Sequence, residues 1–306
     1  MNSPDWKSLN HLRSVFLKKE KIFGDYWNSE IALSDYDDAF GRRIKWKWDY
    51  VLSEIKNTGW MPPSGSILDW ACGSGVAIEA MLDNFRAELI EEIYVWDESK
   101  AAMEFSRAKL KEKFKGRAVN TEERPCDTVL ISHVVTELSE KQIENLLNML
   151  KHAIAIIWVE PGTYEASHAL IKIREKLRDS FNVVAPCTHK EPCPMELSEN
   201  EKHWCHFFAE PPQEAFTEKK WAEFAKNVGI DLRSLPLSYL VLDKRPVREL
   251  PENSARLIAA PRIYKSHALI LGCSGQGLNE IRVTKKEMPD YFKALKKNKA
   301  GSLYRK

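Results

Sequence analysis

The sequence predicts an α/β fold in which a Rossmann-like sheet is preceded by helices and followed by a cysteine-rich insert. Three observations lead to this fold class. A strand, a glycine-rich turn, a helix and a second strand follow one another between residues 66 and 97. The alternation of apolar strands and helices then continues to residue 159, and four cysteines follow it. Such alternation is typical of a parallel sheet covered on both faces by helices.

Residues 1–60 are predicted to form an N-terminal helical extension. Over residues 35–56, apolar or aromatic side chains recur at a spacing of about 3.6, which lays one stripe along a helix. Ser34 and Asp37 resemble a capping box in which Asp replaces Glu, so the helix is predicted to begin there. Gly59 and the prolines after it are expected to end the helix.

The clearest motif is a glycine-rich turn. Residues 66–70 read as a short buried strand and residues 76–85 as a helix, and a second strand at residues 92–96 is followed by an aspartate. The intervening pattern D-x-A-x-G-x-G differs from the dinucleotide fingerprint G-x-G-x-x-G. This order lets the backbone approach a nucleotide-like ligand while a carboxylate binds the ribose hydroxyls. The predicted cofactor-binding residues are Asp69, Ala71, Gly73, Gly75, Asp97 and Ser132.

The alternation downstream predicts the rest of a core that extends from residue 61 to residue 180. Residues 100–113 and 140–152 read as helices, and residues 128–132 and 153–159 read as apolar strands. Strands with nearly continuous apolar character are typical of a parallel sheet that is buried on both faces.

Polar residues follow the strand at residues 128–132. Ligands bind at the carboxyl ends of parallel strands, so we expect Ser132, His133 and Glu137 on the substrate side of the cofactor. His133 and Glu137 are the catalytic candidates. A histidine after a strand is more often a hydrogen-bonded structural residue, which is the alternative role for His133.

The insert at residues 181–212 contributes three cysteines, and a fourth follows in the remaining segment, residues 213–306. These four thiols are Cys187, Cys193, Cys205 and Cys273. Four soft thiolate ligands suit an iron-sulfur cluster or zinc. The alternative is four unrelated buried thiols, since a free cysteine also behaves as a small hydrophobe.

The identity of the metal stays open at this point. His189, His203 and His206 flank the thiols, so zinc bound by four thiolates, or by three thiolates and an imidazole, is an alternative to a cluster. The spacing of the cysteines lacks the paired C-x2-C pattern of structural zinc sites, which favours a cluster. Cys72 and Cys126 are expected to be structural thiols.

Charge is distributed unevenly along the chain. The net charge is +2, yet residues 285–306 hold eight lysines or arginines against two acids, which gives this segment +6 and leaves −4 for the rest. A concentrated basic segment favours a contact with nucleic acid. The alternative is a solvated, disordered end.

Composition narrows the class of protein. A hydrophobic fraction of 43% and an aromatic fraction of 10% are ordinary for a globular core. The sequence has no apolar run long enough to span a membrane and no signal-peptide pattern, so we expect a cytoplasmic protein without a membrane partner. Six cysteines without a secretion signal favour metal binding or redox chemistry over disulfides.

Several motifs together resemble a known family. D-W-A-C-G-S-G, I-S-H-V-V-T-E-L, V-E-P-G-T, A-P-C-T-H-K-E-P-C-P, W-C-H-F, S-Y-L-V-L and a final L-G-C occur in this order. Over about residues 60–300 the sequence resembles the methyltransferase-like family of mitochondrial and bacterial small-ribosomal-subunit assembly proteins. The glycine turn is similar to motif I of class I S-adenosylmethionine (SAM)-dependent methyltransferases, from which it departs at Ala71, where glycine is usual.

This resemblance implies a class I methyltransferase fold with a β-rich basic C-terminus, and small-subunit rRNA as the partner. It also implies a [4Fe-4S] cluster on Cys187, Cys193, Cys205 and Cys273, with SAM bound by the residues of the turn. We expect a monomer when the protein is off the ribosome.

The sequence motifs support a methyltransferase fold more firmly than they support methyl transfer itself. Enzymes that methylate amino groups usually carry [N/D]-P-P-[F/Y/W] after the fourth strand, where this chain reads S-H-V-V-T. The sequence therefore leaves three functions open: an rRNA methyltransferase, a non-catalytic rRNA-binding assembly factor, and a small-molecule methyltransferase with a structural zinc site. The third function would leave the basic segment unexplained.

Overall fold

The computed structural model describes residues 6, 9–10, 30–85, 87–248, 250–297 and 299–305. Two compact units make up the chain. One consists of Met1–Glu160 and Ala209–Leu235, and the other of Pro161–Phe208 and Pro236–Lys306. Most of the predicted N-terminal extension before residue 30 lies outside the described residues. The four-segment division at residues 60, 180 and 212 stays a prediction.

The first unit is built on parallel strands in the order β3-β2-β1-β4-β5. This order is that of a Rossmann-like sheet, so the predicted fold class is confirmed. The last residue of β5 belongs to the second unit. The strands are β1 (Gly65–Trp70), β2 (Ile90–Trp96), β3 (Val119–Asn120), β4 (Thr128–Ser132) and β5 (Ala155–Pro161).

Helices connect and flank these strands. Two of the connecting helices begin at a hydroxyl side chain that accepts a backbone N–H: Ser99 precedes α4, and Ser139 forms a full capping box with Gln142 at the start of α5. The core of the unit contains the fully buried side chains of Trp48, Trp158 and Trp221. The helices are α1 (Glu30–Tyr36), α2 (Arg42–Asn57), α3 (Val76–Asn84), α4 (Lys100–Lys113) and α5 (Glu140–Leu150), and later in the chain α7 (Glu214–Thr217) and α8 (Lys219–Val228).

The predicted helix over residues 35–56 is present but interrupted. A π-helical segment, Asp37–Gly41, separates α1 from α2. The predicted capping box at Ser34 is wrong, because Ser34 lies inside α1. Its backbone is already helical, whereas an N-cap residue must precede the first free N–H groups of a helix.

The connection from β3 to β4 contains no helix. Residues 121–127 cross instead as an extended segment. Trp70 donates from Nε1 to Glu123 Oε1 at 2.8 Å, and the guanidinium of Arg124 lies 4.8 Å from the ring centroid of Tyr94. Trp70 also stacks on Trp96 of the neighbouring strand, with ring centroids 5.1 Å apart. The segment is therefore held against β1 and β2 by aromatic side chains.

In the second unit, β6 pairs antiparallel with β8, and β7 also pairs with β8. A second, fully antiparallel sheet has the order β11-β10-β9-β12. Its elements are α6 (Tyr164–Leu177), β6 (Asn182–Ala185), β7 (Phe207–Ala209), β8 (Leu235–Asp243), β9 (Ser254–Ile263), β10 (His267–Ser274), β11 (Gly277–Thr284), α9 (Pro289–Lys296) and β12 (Leu303–Arg305), with short 3₁₀ turns at Pro194–Glu196 and Ser198–Asn200.

The basic C-terminal segment is folded. Phe292 and Leu295 of α9 and Tyr304 of β12 are buried in one cluster with Ala268 and Val283 of the sheet. The alternative of a solvated, disordered end is therefore wrong for the described part of residues 285–306. Apolar side chains at helical spacing anchor the segment, while its lysines remain exposed. Within the described residues, no helix has both the length and the apolar character needed to cross a bilayer.

Ala71, the residue that departs from the motif, adopts a left-handed backbone. Its φ is +57°, and Gly73 and Gly75 follow with +50° and +74°. A left-handed conformation costs a residue with a Cβ atom about 1 kcal/mol or more, and glycine does not bear this cost.

We predict that Ala71→Gly stabilises the protein by about 0.5–1 kcal/mol, because relief of strain exceeds the extra entropy of the unfolded chain. Urea unfolding measures the change. The control is Ala108→Gly at an exposed position inside α4, which should destabilise by about 1 kcal/mol. Equal destabilisation by both substitutions would contradict the prediction.

Candidate functional site

The glycine turn of the first unit is held by Asp97, as its carboxylate accepts two backbone hydrogen bonds. Gly73 donates its N–H to Oδ2 at 2.9 Å, and Ser99 donates to Oδ1 at 3.0 Å. Cys72 N–H bonds to the carbonyl of Trp96 at 2.9 Å. Asp97 therefore connects the glycine turn to the end of β2, where a carboxylate is expected to meet the ribose hydroxyls of a nucleotide-like ligand.

Asp69 lies beneath the turn and is fully buried. Its Oδ2 accepts the N–H of Ile78 at 3.2 Å, whereas Oδ1 is buried without a hydrogen-bond partner among the described residues. Burial, and the negative charge of Asp97 in addition, raise the pKa of Asp69 well above its usual value. A buried oxygen without a partner carries a free-energy cost, which a ligand with a positive charge or an N–H donor would remove.

These residues fit SAM. The cofactor has an ammonium group and ribose hydroxyls, which match the Asp69 oxygen without a partner and the carboxylate of Asp97. A Cβ atom added at Gly73 would meet no atom within 4 Å, so the turn leaves open space beside its backbone. Ser132 accepts a hydrogen bond from Trp48 Nε1 at 2.9 Å, and its role in binding the cofactor stays a prediction.

Ser132 and His133 belong to a polar network at the end of β4. His133 Nδ1 lies 3.3 Å from Ser132 Oγ, and its Nε2 lies 3.2 Å from Lys47 Nζ. Burial, followed by the positive charges of Lys47 and Arg43, lowers the pKa of His133 well below its usual value. His133 is therefore neutral near pH 7, and both of its ring nitrogens are engaged within the protein.

Lys47 is the functional candidate that sequence reasoning missed. Burial and the nearby Arg43 lower its pKa to about 7. A lysine with such a pKa is partly uncharged at neutral pH and can accept a proton. No motif marks Lys47, which is one of several cations in α2. Only its approach to His133 distinguishes it.

Glu160 lies at the end of β5 and is fully buried. Its Oε1 accepts the N–H groups of Val134 and Val135, both at 3.0 Å, and Nε1 of Trp158 at 2.7 Å. Burial raises its pKa to about 7 despite these bonds. Glu137, the second catalytic candidate, lies in the turn after β4 with an exposed side chain.

The four predicted metal-ligating cysteines all lie in the second unit. Cys187 follows β6, Cys193 precedes a 3₁₀ turn, Cys205 lies before β7, and Cys273 is part of β10. Cys193 and Cys273 are buried, and the other two are half-buried. All four are free thiols.

Electrostatics indicate that these four thiols are neighbours. The pKa of Cys205 is raised well above its usual value by burial and then by the charges of Cys187, Cys273 and Cys193. Burial and Cys187 raise the pKa of Cys193 to about 12. Cys273 is raised by burial, Cys187 and Cys193. The alternative of four unrelated buried thiols is therefore not favoured.

Hydrogen bonds fix the segments that carry these cysteines. The carbonyl of Cys205 accepts bonds from Ser167 Oγ at 2.9 Å and Ser238 Oγ at 2.7 Å. Cys193 donates its N–H to Glu175 Oε1 at 3.1 Å. Arg256 donates from Nε to the carbonyl of Pro186, next to Cys187, at 2.6 Å.

Arg174 binds the loop between Cys187 and Cys193. Its Nη2 donates to the carbonyls of His189 at 3.1 Å and Glu191 at 2.8 Å. Its Nε is buried without a hydrogen-bond partner among the described residues. One unused donor of a buried guanidinium therefore remains next to the cysteine loop.

The flanking histidines do not complete a site for one ion. His206 donates from Nδ1 to the carbonyl of Trp204 at 3.0 Å, whereas both ring nitrogens of His189 are buried without a partner. Over the described part of the chain, no group of three or more His, Cys, Asp or Glu residues, the four cysteines included, is arranged to hold a metal ion.

Glu160 generates a pH prediction. Its folded pKa of about 7 exceeds the usual 4.5, so its protonated form contributes stability below pH 4.5 that is lost as the pH rises through 7. We expect Glu160→Gln to remove this loss, which is on the order of 3 kcal/mol, so that the variant gains stability relative to wild type between pH 5 and about 8. Denaturant unfolding across this range tests it, with exposed Glu144→Gln as control. A constant difference between Glu160→Gln and wild type would contradict it.

The chain is similar to solved methyltransferase structures. A putative RNA methyltransferase from Pyrococcus horikoshii shares 14% identity, over 64% of this chain and 83% of that chain, with a TM-score of 0.39. The magnesium protoporphyrin IX methyltransferase from Synechocystis PCC 6803 with bound SAM shares 12% identity, over 80% of this chain and 100% of that chain, with a TM-score of 0.42. No curated protein matches the chain.

A protein family matches most of the sequence. The match extends over residues 49–305 and thus includes the glycine turn and all four cysteines of the second unit. The family is described as mitochondrial small ribosomal subunit Rsm22. The chain therefore belongs to the Rsm22 family.

Proposed function

We propose that this protein binds SAM at the glycine turn, carries a [4Fe-4S] cluster on its four neighbouring cysteines, and acts on rRNA of the small ribosomal subunit during assembly. The proposal rests above all on family membership, because the Rsm22 family is named for the small ribosomal subunit. The two sites described above supply the chemistry.

The first unit supports the cofactor. Asp69 offers a buried oxygen without a partner, Asp97 offers a carboxylate at the end of β2, and the backbone of Gly73 faces open space. SAM would supply a methyl group. Three side chains of the first unit have pKa values of about 7 and could accept a proton: Lys47, Glu137 and Glu160.

The second unit supports the cluster. Four thiols that act on one another electrostatically supply the ligands a [4Fe-4S] cluster requires. Their sequence spacing lacks the paired pattern of structural zinc sites. The buried guanidinium groups of Arg174 and Arg256 would offset the negative charge that four thiolates bring.

A second candidate function is a non-catalytic assembly factor that retains both sites as rigid parts of an rRNA-binding surface. One observation favours it: the segment after β4 lacks the motif for amino methylation, and His133 in its place is bonded on both ring nitrogens. Radiolabelled SAM offered with naked small-subunit rRNA, and separately with immature subunits, tests the two functions. Label in the RNA of either substrate identifies an enzyme.

The cofactor prediction concerns Asp97. Asp97→Ala should weaken SAM binding by about ten- to a hundredfold, because loss of a charged hydrogen-bonding partner costs about 1–3 kcal/mol. Isothermal titration calorimetry measures the affinity. Glu91→Ala removes the same charge from an exposed position at the other end of β2 and should change nothing. If the wild type fails to bind SAM, only the non-catalytic function survives.

The cluster prediction concerns protein purified without oxygen. It should be brown, absorb broadly near roughly 400 nm and contain about four irons and four sulfides per chain. Replacing Cys187, Cys193, Cys205 or Cys273 by Ser should lower iron content and melting temperature, because metal binding contributes to folding. Cys126→Ser should leave both unchanged. One equivalent of zinc in colourless protein would contradict the cluster.

The RNA prediction concerns the exposed lysines at the C-terminus. Because α9 and β12 are part of a core, deleting them would unfold the sheet, so substitution is the sharper test. Replacing Lys293, Lys296, Lys297 and Lys299 by Gln should reduce the salt dependence of RNA binding by about 0.7 in log-log slope per lost phosphate contact. The control variant replaces Lys219 and Lys220, which are exposed in the first unit, by Gln. An unchanged slope in the quadruple variant would exclude these lysines from the RNA contact.

A further inference from the structure

Near the turn between β9 and β10, the C-terminal sheet has one buried face and one face that is open to solvent. Ala268 and Val283 are buried in the cluster that includes α9. Successive side chains of a strand point to opposite faces, so Leu269 and its register partners Arg262 and Arg282 lie on the other face. Both arginines are exposed. The solvent face therefore carries two guanidinium groups on either side of a leucine.

The turn between β9 and β10 adds a stacked aromatic pair. The ring of Tyr264 lies nearly parallel to the imidazole of His267, with centroids 4.7 Å apart and an interplanar angle of 10°. The N–H of Tyr264 donates to the carbonyl of His267 at 2.8 Å, which closes the turn. Tyr264 is nevertheless 47% exposed. A fixed and exposed aromatic ring is a platform on which another flat ring can stack.

Positive charge predominates around this pair. The exposed cations are Arg262, Lys265, Arg282, Lys285 and Lys286, against the two acids Glu280 and Glu287. Lys285 is held beside the turn, because its N–H donates to the carbonyl of Ser266 at 2.9 Å.

Arg262 pairs with Glu280, and both side chains of this pair are about half exposed or more, at 61% and 49%. An exposed ion pair contributes at most about 1 kcal/mol. Arg262 can therefore exchange its carboxylate partner for a phosphate at little cost.

We propose that this face, formed by Arg262, Tyr264, Lys265, His267 and Arg282, binds unpaired nucleotides of RNA, with a base on Tyr264 and phosphates on the cations. The inference rests on the proposed association with small-subunit rRNA and deepens it, since it names single-stranded RNA as the form that is bound. Bases inside a duplex are stacked on one another and have no free ring face. The lysines of α9 belong to the helix that packs on the buried face, so the two surfaces can be tested separately.

The experiment compares full-length variants in binding a fluorescent single-stranded oligonucleotide from small-subunit rRNA. Tyr264→Ala should weaken binding about tenfold with an unchanged salt slope, whereas Tyr264→Phe should bind like wild type, because stacking needs the ring and not the hydroxyl. Arg282→Gln should weaken binding and lower the salt slope by about 0.7. Phe216→Ala removes another exposed aromatic ring, in the first unit, and serves as control. Circular dichroism verifies that each variant is folded.

The outcomes separate this inference from the proposed function. If Tyr264→Ala binds as tightly as wild type, or if wild type prefers duplex to single-stranded RNA, the inference is wrong while the ribosomal proposal stands. If Tyr264→Ala binds naked RNA normally but no longer binds small subunits, the face contacts a ribosomal protein, which also overturns the inference. If wild type binds neither small-subunit RNA nor small subunits, the proposed partner itself is lost.

Discussion

Two buried guanidinium groups organise the second unit. Arg174 and Arg256 are only 2% and 3% exposed, and each donates to main-chain carbonyls within two residues of a cysteine. Burying a positive charge costs several kcal/mol unless hydrogen bonds and negative charge compensate it. The hydrogen bonds also determine the shape of the loop around Cys187. The same two side chains therefore supply positive charge and fix the backbone of this loop. Neutral thiols offset less of this charge than thiolates would, so the unit is expected to be more stable when its cysteines hold a metal.

The first unit poses the opposite electrostatic problem. Asp69 and Glu160 are buried carboxyls, and each has one oxygen without a hydrogen-bond partner among the described residues. Such groups are costly to keep in a folded protein. They are tolerated at sites where a ligand completes the missing contacts, and both lie at the carboxyl ends of parallel strands, where ligands of such sheets bind. A ligand bound at this edge of the sheet would therefore complete the hydrogen bonding of both carboxyl groups.

Much of the first unit could be predicted from the sequence because its signals are local. Apolar runs and glycine positions mark β1, β4 and α4, and the prediction gave the bounds of the last two as they occur. The π-helical segment at Asp37–Gly41 and the extended connection at residues 121–127 were not predicted. Both depend on what packs against them, such as Glu123 on Trp70, and local patterns do not encode such contacts.

In the candidate sites, too, local sequence patterns predicted some residues and not others. Asp69 could be predicted because it stands near the end of a strand, just before the glycine turn. Asp97 could be predicted because it directly follows the next strand. Lys47 could not, since its proximity to His133 joins positions 86 residues apart. No local pattern places Cys273 beside the other cysteines, so that prediction depended on the residue type and on the family resemblance. Nor does the count of charges in residues 285–306 reveal that Phe292, Leu295 and Tyr304 anchor them in a core.

The pairing of β12 with β9 bears on the order of events during synthesis. Cys187, Cys193 and Cys205 leave the ribosome before Cys273, which lies in β10, between β9 and β11. The opposite edge of β9 is completed by Leu303–Arg305. Long loops must therefore close before the fourth thiol reaches the other three, which costs chain entropy that only the finished sheet recovers. A nascent chain would display three unprotected thiols until the last hundred or so residues are made, so a metal at this site would be acquired late, once residue 305 has emerged.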